Sequence, residues 1–185
     1  KNVNILILDT EVYSNTGGQA SKATQIGAVA QFAASGKRTG KKNLGLMAMS
    51  YGYIYVASCS MGANRQQTLN AFLEAEAYDG PSLIMVYAPC INHGMNLMYH
   101  QETQKMAAEC GYVPLYRYNP GLEENRFSWD SKEPDGKFQE FLATERRYKS
   151  LRNTPAGHEA DELFKLSEED AMRRLNVLKR FGEIL

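Results

Sequence analysis

VNILILDTEVYSNTGGQ, residues 3–19, is an apolar run that gives way abruptly to polar and small residues. A short continuous run such as VNILIL, residues 3–8, is typical of a parallel strand that is covered on both faces. Runs of the same character recur farther along the chain, namely IYVASCS (54–60), SLIMVYA (82–88) and VPLYRY (113–118). The sequence therefore predicts four strands.

Helical patterns separate the later strands. Asn64 can cap a helix with Gln67 as its capping-box partner, and the positions predicted to face the core are Leu69, Phe72, Leu73 and Ala77. A second helix is predicted over residues 95–110, closed by Gly111. This alternation predicts an α/β fold, with a mostly parallel sheet and flanking helices. Right-handed crossovers would then place the carboxyl ends of all four strands at one edge.

Charge density changes near Pro120–Gly121, since residues 1–120 carry 16 charged side chains and residues 121–185 carry 26. We predict an α/β domain over residues 1–120, incomplete at its N-terminus, followed by a charged helical C-terminal arm over residues 121–185. One apolar stripe of the arm comprises Phe138, Phe141, Leu142, Tyr148 and Leu151.

A further helix of the arm is predicted to begin at Ser167, with Asp170 completing a capping box. The apolar positions of this helix are Met172, Leu175, Leu178 and Phe181.

Composition narrows the class of protein. With 185 residues, of which 43% are hydrophobic and 23% charged, the chain resembles an ordinary globular protein rather than a disordered or fibrous one. Its net charge of zero gives no field that would attract nucleic acid or an anionic membrane, and no apolar run is long enough to span a bilayer.

Three cysteines without a close pair favour a reducing, cytoplasmic setting. The chain opens on a strand without an initiator Met or a leader, so we expect a piece of a longer polypeptide.

Three polar loops follow the first three strands, at the sheet edge where ligands bind in parallel sheets; they are residues 9–19, 60–65 and 88–94. The first loop is the richest in oxygen-bearing side chains, which are Asp9, Thr10, Glu11, Ser14, Asn15 and Thr16. Mg²⁺ prefers oxygen ligands, and Thr10 with a nearby backbone carbonyl could supply two of them. An ordinary turn held by side-chain-to-backbone hydrogen bonds explains the same residues, so both interpretations stay open.

Cys90 follows a strand at this same edge, which makes it the best candidate metal ligand among the cysteines. A cysteine in such a position is usually a buried, inert thiol, and this is the interpretation that we give to Cys59 and Cys110.

The cluster KRTGKK, residues 37–42, is predicted to be a solvated loop, with contact to cofactor phosphates or to an acidic partner as the alternative. No catalytic ordering stands out among the histidines, which are His93, His100 and His158.

Long strings of this sequence resemble a known family. LDTEVYSNTGGQASKAT (8–24) and AASGKRTGKKNLG (33–45) are closely similar to the C-terminal thiamine-diphosphate domain of the pyruvate:ferredoxin (flavodoxin) oxidoreductases. The resemblance continues through MSYGYIYVASCSMG (49–62), GPSLIMVYAPCINHG (80–94) and GYVPLYRYNP (111–120), and it is looser after residue 120, mainly at SWDSKEPDGKFQEFL (128–142). It implies a thiamin diphosphate-binding fold.

The resemblance also implies site residues. Those that would line the cofactor are Thr10, Glu11, Val12, Tyr13, Ser14 and Asn15. The Thr10 side chain and the Val12 carbonyl would bind Mg²⁺, Asn15 would be the catalytic residue beside the thiazolium, and Cys90 would be one ligand of a [4Fe–4S] cluster. The family's GDG motif and its other three cluster cysteines have no counterpart in these 185 residues, so the chain alone is expected to be inactive.

The parent enzyme implied by the resemblance oxidises pyruvate with coenzyme A to acetyl-CoA and CO₂. It would pass electrons through iron–sulfur clusters to ferredoxin or flavodoxin, acting with the remaining domains of the parent polypeptide as a homo-oligomer. Two alternatives stay open. One is a thiamine-dependent decarboxylase without clusters, in which Cys90 would be dispensable. The other, for the chain alone, is a non-catalytic module used for subunit contact.

Overall fold

A computed structural model describes residues 2–184, so residues 1 and 185, the outer limits of the two predicted parts, lie outside the described residues. The strands are β1 (Val3–Asp9), β2 (Val12–Tyr13), β3 (Gln19–Ala20), β4 (Tyr55–Cys59), β5 (Pro81–Tyr87), β6 (Tyr116–Tyr118) and β7 (Phe127–Trp129). The helices are α1 (Leu44–Met49), α2 (Arg65–Ala77), α3 (His100–Glu109), α4 (Phe138–Leu142), α5 (Arg146–Lys149) and α6 (Ala160–Ile184). Within this part of the chain, no helix has the length and apolarity that crossing a bilayer requires.

The main sheet confirms the predicted α/β class. Its strand order is β1-β5-β4-β6-β7, and β5 lies between β1 and β4, parallel to both. β6 pairs antiparallel with β4, and β7 pairs antiparallel with β6. The prediction that all four strands end at one edge is therefore wrong for the run at 113–118. An apolar run indicates burial but does not specify the direction of a strand.

Helix α2 begins as predicted, because the side chain of Asn64 accepts a hydrogen bond from the Gln67 amide at 2.9 Å. The predicted capping box is wrong, since the Asn64 amide donates to the Ser60 carbonyl and not to the Gln67 side chain. The prediction of which side of α2 faces the core is also wrong, since Leu69 and Leu73 are more than half exposed. The side that packs on β4 and β5 carries Ala71 and Ala75. Small side chains let the helix lie close to the sheet, and the larger apolar residues are turned outward.

The region after residue 121 has a buried apolar stripe, as predicted. Its members are at most 2% exposed and lie on α4, α5 and the turn that follows, and they are Phe138, Phe141, Leu142, Tyr148 and Leu151. The prediction that the last helix begins at Ser167 is wrong, because α6 begins at Ala160. Asp170 lies inside α6 and therefore does not complete a capping box. Its carboxylate accepts a hydrogen bond from Arg174 at 3.0 Å. Of the predicted apolar positions, Leu175 and Leu178 are buried, and Met172 and Phe181 pack partly buried against the core.

β1 is an edge strand of the described sheet, since it pairs with β5 alone. Four of its five apolar side chains are about half exposed or more, and they are Val3, Ile5, Leu6 and Leu8. The fifth, Ile7, packs partly buried against the core. The prediction that this strand is covered on both faces is therefore wrong for the described residues. The exposed side of α2 adjoins β1, because Asn4 donates a hydrogen bond to Glu76 at 3.0 Å. β1 and the outer side of α2 together form an exposed apolar surface, a feature typical of interfaces.

Candidate functional site

The first loop folds into a small hairpin directly after β1. β2 and β3 pair antiparallel, and the Gly18 amide donates to the Tyr13 carbonyl at 2.9 Å. Ser14 and Asn15 lie at the tip of this hairpin, and their side chains are exposed. The tip is therefore open to a ligand or to a neighbouring domain.

Thr10 and Val12 place two oxygen atoms side by side at the base of the hairpin. The Thr10 hydroxyl lies 3.1 Å from the Val12 carbonyl oxygen, to which it donates a hydrogen bond. Adjacent corners of a Mg²⁺ octahedron with bonds of about 2.1 Å are separated by about 3 Å. The two oxygens therefore fit neighbouring positions around one magnesium ion.

Glu11, between these two residues, points into the protein and has no exposed side-chain surface. One carboxylate oxygen accepts hydrogen bonds from Tyr112 at 2.6 Å and Arg147 at 2.7 Å, and the other accepts from Lys41 at 2.8 Å. Burial alone would raise the pKa of the Glu11 carboxyl, but the positive charges of Lys41 and Arg147 lower it far below its ordinary value. Glu11 is therefore ionised and anchors the loop from inside.

A second buried carboxylate, that of Glu145, joins this group of charges. It accepts a hydrogen bond from Arg147 at 2.7 Å, and its other oxygen lies 3.3 Å from Nδ1 of His93. Burial would raise the pKa of Glu145, but the charge of Arg147 holds it below its ordinary value. Nε2 of His93 lies 2.8 Å from the carbonyl oxygen of Thr10. The third loop thus contacts the first at the candidate magnesium ligand.

The KRTGKK cluster is not simply a solvated loop. Lys41 is mostly buried and forms ion pairs with Asp9 at 2.5 Å and Glu11 at 2.8 Å, and the ammonium group of Lys37 donates to the Thr24 carbonyl at 2.5 Å. The other four residues of the cluster are exposed as predicted, and they are Arg38, Thr39, Gly40 and Lys42. Arg38 is paired with Glu159. Arg38 and Lys41 therefore neutralise acidic groups of their own chain.

A cavity of about 370 Å³ opens beside these charges. Its lining is mostly apolar and includes Ile7 and Met85, and the side of the first loop contributes Glu11 and Tyr13. Pockets for small molecules typically measure about 300–1,000 Å³. The cavity therefore gives a ligand of that class room next to the first loop.

Cys90 lies close to the hairpin through Asn92. The thiol is partly exposed, and the Asn92 amide donates to its sulfur atom at 3.5 Å. A Cβ atom built on Gly18 would lie 2.9 Å from Oδ1 of Asn92, so the hairpin and the third loop touch. Cys59 and Cys110 are buried as predicted, and burial raises the pKa of each thiol to about 12.

Gly18→Ala is expected to separate the hairpin from the Cys90 loop. Gly18 has φ +82°, and a Cβ there would displace the side chain of Asn92. A side chain at such a φ costs about 1 kcal/mol or more, and the close contact adds to that. Gly52→Ala is the matched control, since Gly52 has φ +78° and open space around it. Urea unfolding should show a larger loss for Gly18→Ala, and equal losses would contradict the contact.

The second loop is attached to α3, because the Gly62 amide donates to the side chain of Gln104 at 2.7 Å. Within residues 2–184, no three His, Cys, Asp or Glu side chains come together as a metal-ligand set.

No protein-family model matches the chain, but individual relatives match nearly all of it. It is 59% identical to the pyruvate:ferredoxin oxidoreductase of Moorella thermoacetica and 53% identical to the pyruvate-flavodoxin oxidoreductase of Klebsiella pneumoniae, with 98% of the chain covered in each case. It is 50% identical to the mitochondrial NADP(+) pyruvate dehydrogenase of Euglena gracilis, with 99% of the chain covered. The chain spans 16% of the length of the first two relatives and 10% of the third.

The α/β fold and these matches define the chain as a segment related to oxidoreductases that are named for pyruvate. It belongs to the pyruvate:ferredoxin (flavodoxin) oxidoreductase family, as the motif strings predicted. The sequence did not signal the roles of His93, Glu145 and Arg147, because they meet the first loop only through the fold.

Proposed function

We propose that the chain is a segment of a thiamine-diphosphate-dependent enzyme that oxidatively decarboxylates pyruvate. With coenzyme A, the enzyme forms acetyl-CoA and CO₂ and passes electrons through iron–sulfur clusters to ferredoxin or flavodoxin. The names of the relatives support the substrate and the electron carriers. The proposal rests mainly on one observation. The Thr10 hydroxyl and the Val12 carbonyl oxygen lie 3.1 Å apart, just after the carboxyl end of β1.

In this proposal the first loop holds Mg²⁺ and the cofactor. Thr10 and Val12 supply two of the oxygen ligands, and the cofactor's diphosphate is attracted by the ion. Thiamine diphosphate, when bound, supplies the electron sink for the loss of CO₂. Asn15, at the exposed tip, orients the substrate by hydrogen bonds, and Tyr13 and Ser14 line the cofactor.

Glu11 contributes its backbone to the cofactor loop, while its buried carboxylate anchors that loop. Cys90, which is partly exposed beside the hairpin, provides one thiolate of a [4Fe–4S] cluster. Four thiolates are needed, so the other three come from other parts of the parent polypeptide. Its remaining domains would also cover the exposed apolar surface of β1 and α2. We further propose a cytoplasmic homo-oligomer, and the three free cysteines fit a reducing compartment.

Thr10→Ala in the full-length enzyme is expected to raise the dissociation constant of thiamine diphosphate about tenfold or more at fixed Mg²⁺. The substitution removes one oxygen ligand and leaves the buried anchor of Glu11 in place. Isothermal titration measures the change directly. Thr10→Ser keeps the hydroxyl and is the matched control, with nearly wild-type affinity expected. An unchanged affinity of Thr10→Ala for thiamine diphosphate would contradict the proposal that Thr10 is a magnesium ligand.

A further inference from the structure

The peptide between Thr10 and Glu11 is held at both of its polar groups. Its carbonyl oxygen lies 2.8 Å from Nε2 of His93, and its N–H donates to the Asp9 carboxylate at 3.0 Å. A carbonyl oxygen can only accept, so Nε2 of His93 carries a proton. Glu11 itself has φ +58°, a conformation that is strained for any residue with a side chain and persists only when the surroundings impose it.

The surroundings that impose it form a ring of contacts, in which the link between Nδ1 of His93 and Glu145 is a close approach and the other links are hydrogen bonds. Glu11 binds NH2 of Arg147 at 2.7 Å, and Nε of the same guanidinium binds Glu145 at 2.7 Å. The other oxygen of Glu145 lies 3.3 Å from Nδ1 of His93, and His93 returns to the Thr10 carbonyl. The ring thus begins and ends at the same peptide, and none of its four side chains is more than 1% exposed.

We propose that His93, Glu145 and Arg147 are positioning residues for the two candidate magnesium ligands, because their ring of contacts fixes the peptide that separates Thr10 from Val12. This inference rests on the proposed function. Rotation of the Thr10–Glu11 peptide would move the Thr10 hydroxyl relative to the Val12 carbonyl, which lie 3.1 Å apart. Mg²⁺ demands near-ideal octahedral geometry, so the affinity of the site depends on that spacing.

The chemistry of Arg147 suits this role. A planar guanidinium presents its donors in a rigid fork and can bridge two carboxylates, whereas an ammonium group acts as a point charge. Arg147 bridges the carboxylates of Glu11 and Glu145, and Lys41 pairs with those of Glu11 and Asp9. Each buried carboxylate of the ring therefore has at least one positive partner, and a hydrogen-bonded network of this kind holds its members in one arrangement.

The test uses the full-length enzyme and measures thiamine diphosphate binding by isothermal titration at a series of Mg²⁺ concentrations. His93→Leu removes the donor to the Thr10 carbonyl, and Arg147→Met opens the ring. Loss of groups that orient metal ligands typically costs about 10–100-fold in metal affinity. We expect the Mg²⁺ concentration for half-maximal binding to rise about tenfold or more in both variants. His93→Gln keeps an N–H donor and should restore a value close to that of the wild type.

Arg152→Met is the matched control, since Arg152 lies in the same part of the chain but is exposed and paired with Asp161. It should keep the wild-type Mg²⁺ dependence. Thermal unfolding without cofactor reports separately on folding. A merely structural residue would lower the unfolding temperature and leave the Mg²⁺ dependence of the folded protein unchanged, and that result would overturn the inference. If Arg147→Met does not fold, the inference is tested by comparing the Mg²⁺ dependence of His93→Leu with that of His93→Gln.

The failure of this inference can be told from the failure of the proposed function. If Thr10→Ala weakens cofactor binding and His93→Leu does not, the result supports the magnesium site and contradicts the positioning role of His93. If Thr10→Ala and His93→Leu both bind the cofactor as tightly as the wild type, the loop is not the magnesium site, and both the proposed function and this inference are contradicted.

Discussion

Glu11→Ala is expected to lower the free energy of unfolding of the chain by about 3–5 kcal/mol, the range for removing one partner of a buried ion pair. The substitution leaves Arg147 with one carboxylate instead of two and removes the fully buried carboxylate that Lys41 contacts at 2.8 Å. It also leaves the hydroxyl of Tyr112 without its acceptor on the loop. Urea unfolding followed by circular dichroism measures the loss.

The pH dependence of the same variant gives an independent check. The folded-state pKa of Glu11 lies below its ordinary value of 4.5, so its stabilisation is fully present above about pH 4.5 and is lost as the pH falls further. The difference between the wild type and Glu11→Ala should therefore be largest near neutral pH and shrink in acid. Glu159→Ala, which removes a partly exposed partner of Arg38, should have little effect at either pH. A Glu11→Ala chain as stable as the wild type would contradict the buried ionised anchor.

Cys90→Ala in the full-length enzyme is expected to remove one iron–sulfur cluster, about four iron atoms per subunit. Electron transfer to ferredoxin or flavodoxin should then fall by orders of magnitude, because the cluster proposed beside the first loop would be absent. Binding of thiamine diphosphate should persist, since the Cys90 thiol meets the hairpin through the side chain of Asn92 and not through a proposed magnesium ligand. Iron analysis and acceptor reduction measure the first two effects, and titration measures the third.

Cys59→Ala and Cys110→Ala are the matched controls for this prediction. Both thiols are buried in the core, and burial raises their pKa to about 12, which keeps them protonated and unsuited to bind iron. Their iron content should match that of the wild type. Equal iron in all three variants would favour the alternative of a thiamine-dependent decarboxylase in which Cys90 is dispensable.

Local patterns were sufficient to predict much of this fold. The parallel strands β1, β4 and β5 coincide with the apolar runs, and α2 begins at Asn64 because a side-chain cap is encoded within four residues. The polar loops after β1 and β5 could be placed at one edge for the same reason, since parallel neighbours end together.

Contacts between distant segments could not be predicted from such patterns. Glu11 and Arg147 are 136 positions apart, and nothing near Arg147 distinguishes it in sequence from the exposed Arg146. The inward face of α2 was missed for another reason. Close packing selected Ala71 and Ala75 there, whereas hydrophobic periodicity gives most weight to large side chains.

The free edge of β1 has a further consequence for hydrogen exchange. In a parallel strand, alternate residues direct their amides to opposite neighbours, so β1 carries one set of amides bonded to β5 and another set facing away from it. The first set reports on the stability of the sheet itself. The second set is protected only when another strand lies alongside. Exchange rates along these seven residues therefore record, within one strand, whether the rest of the parent polypeptide has docked.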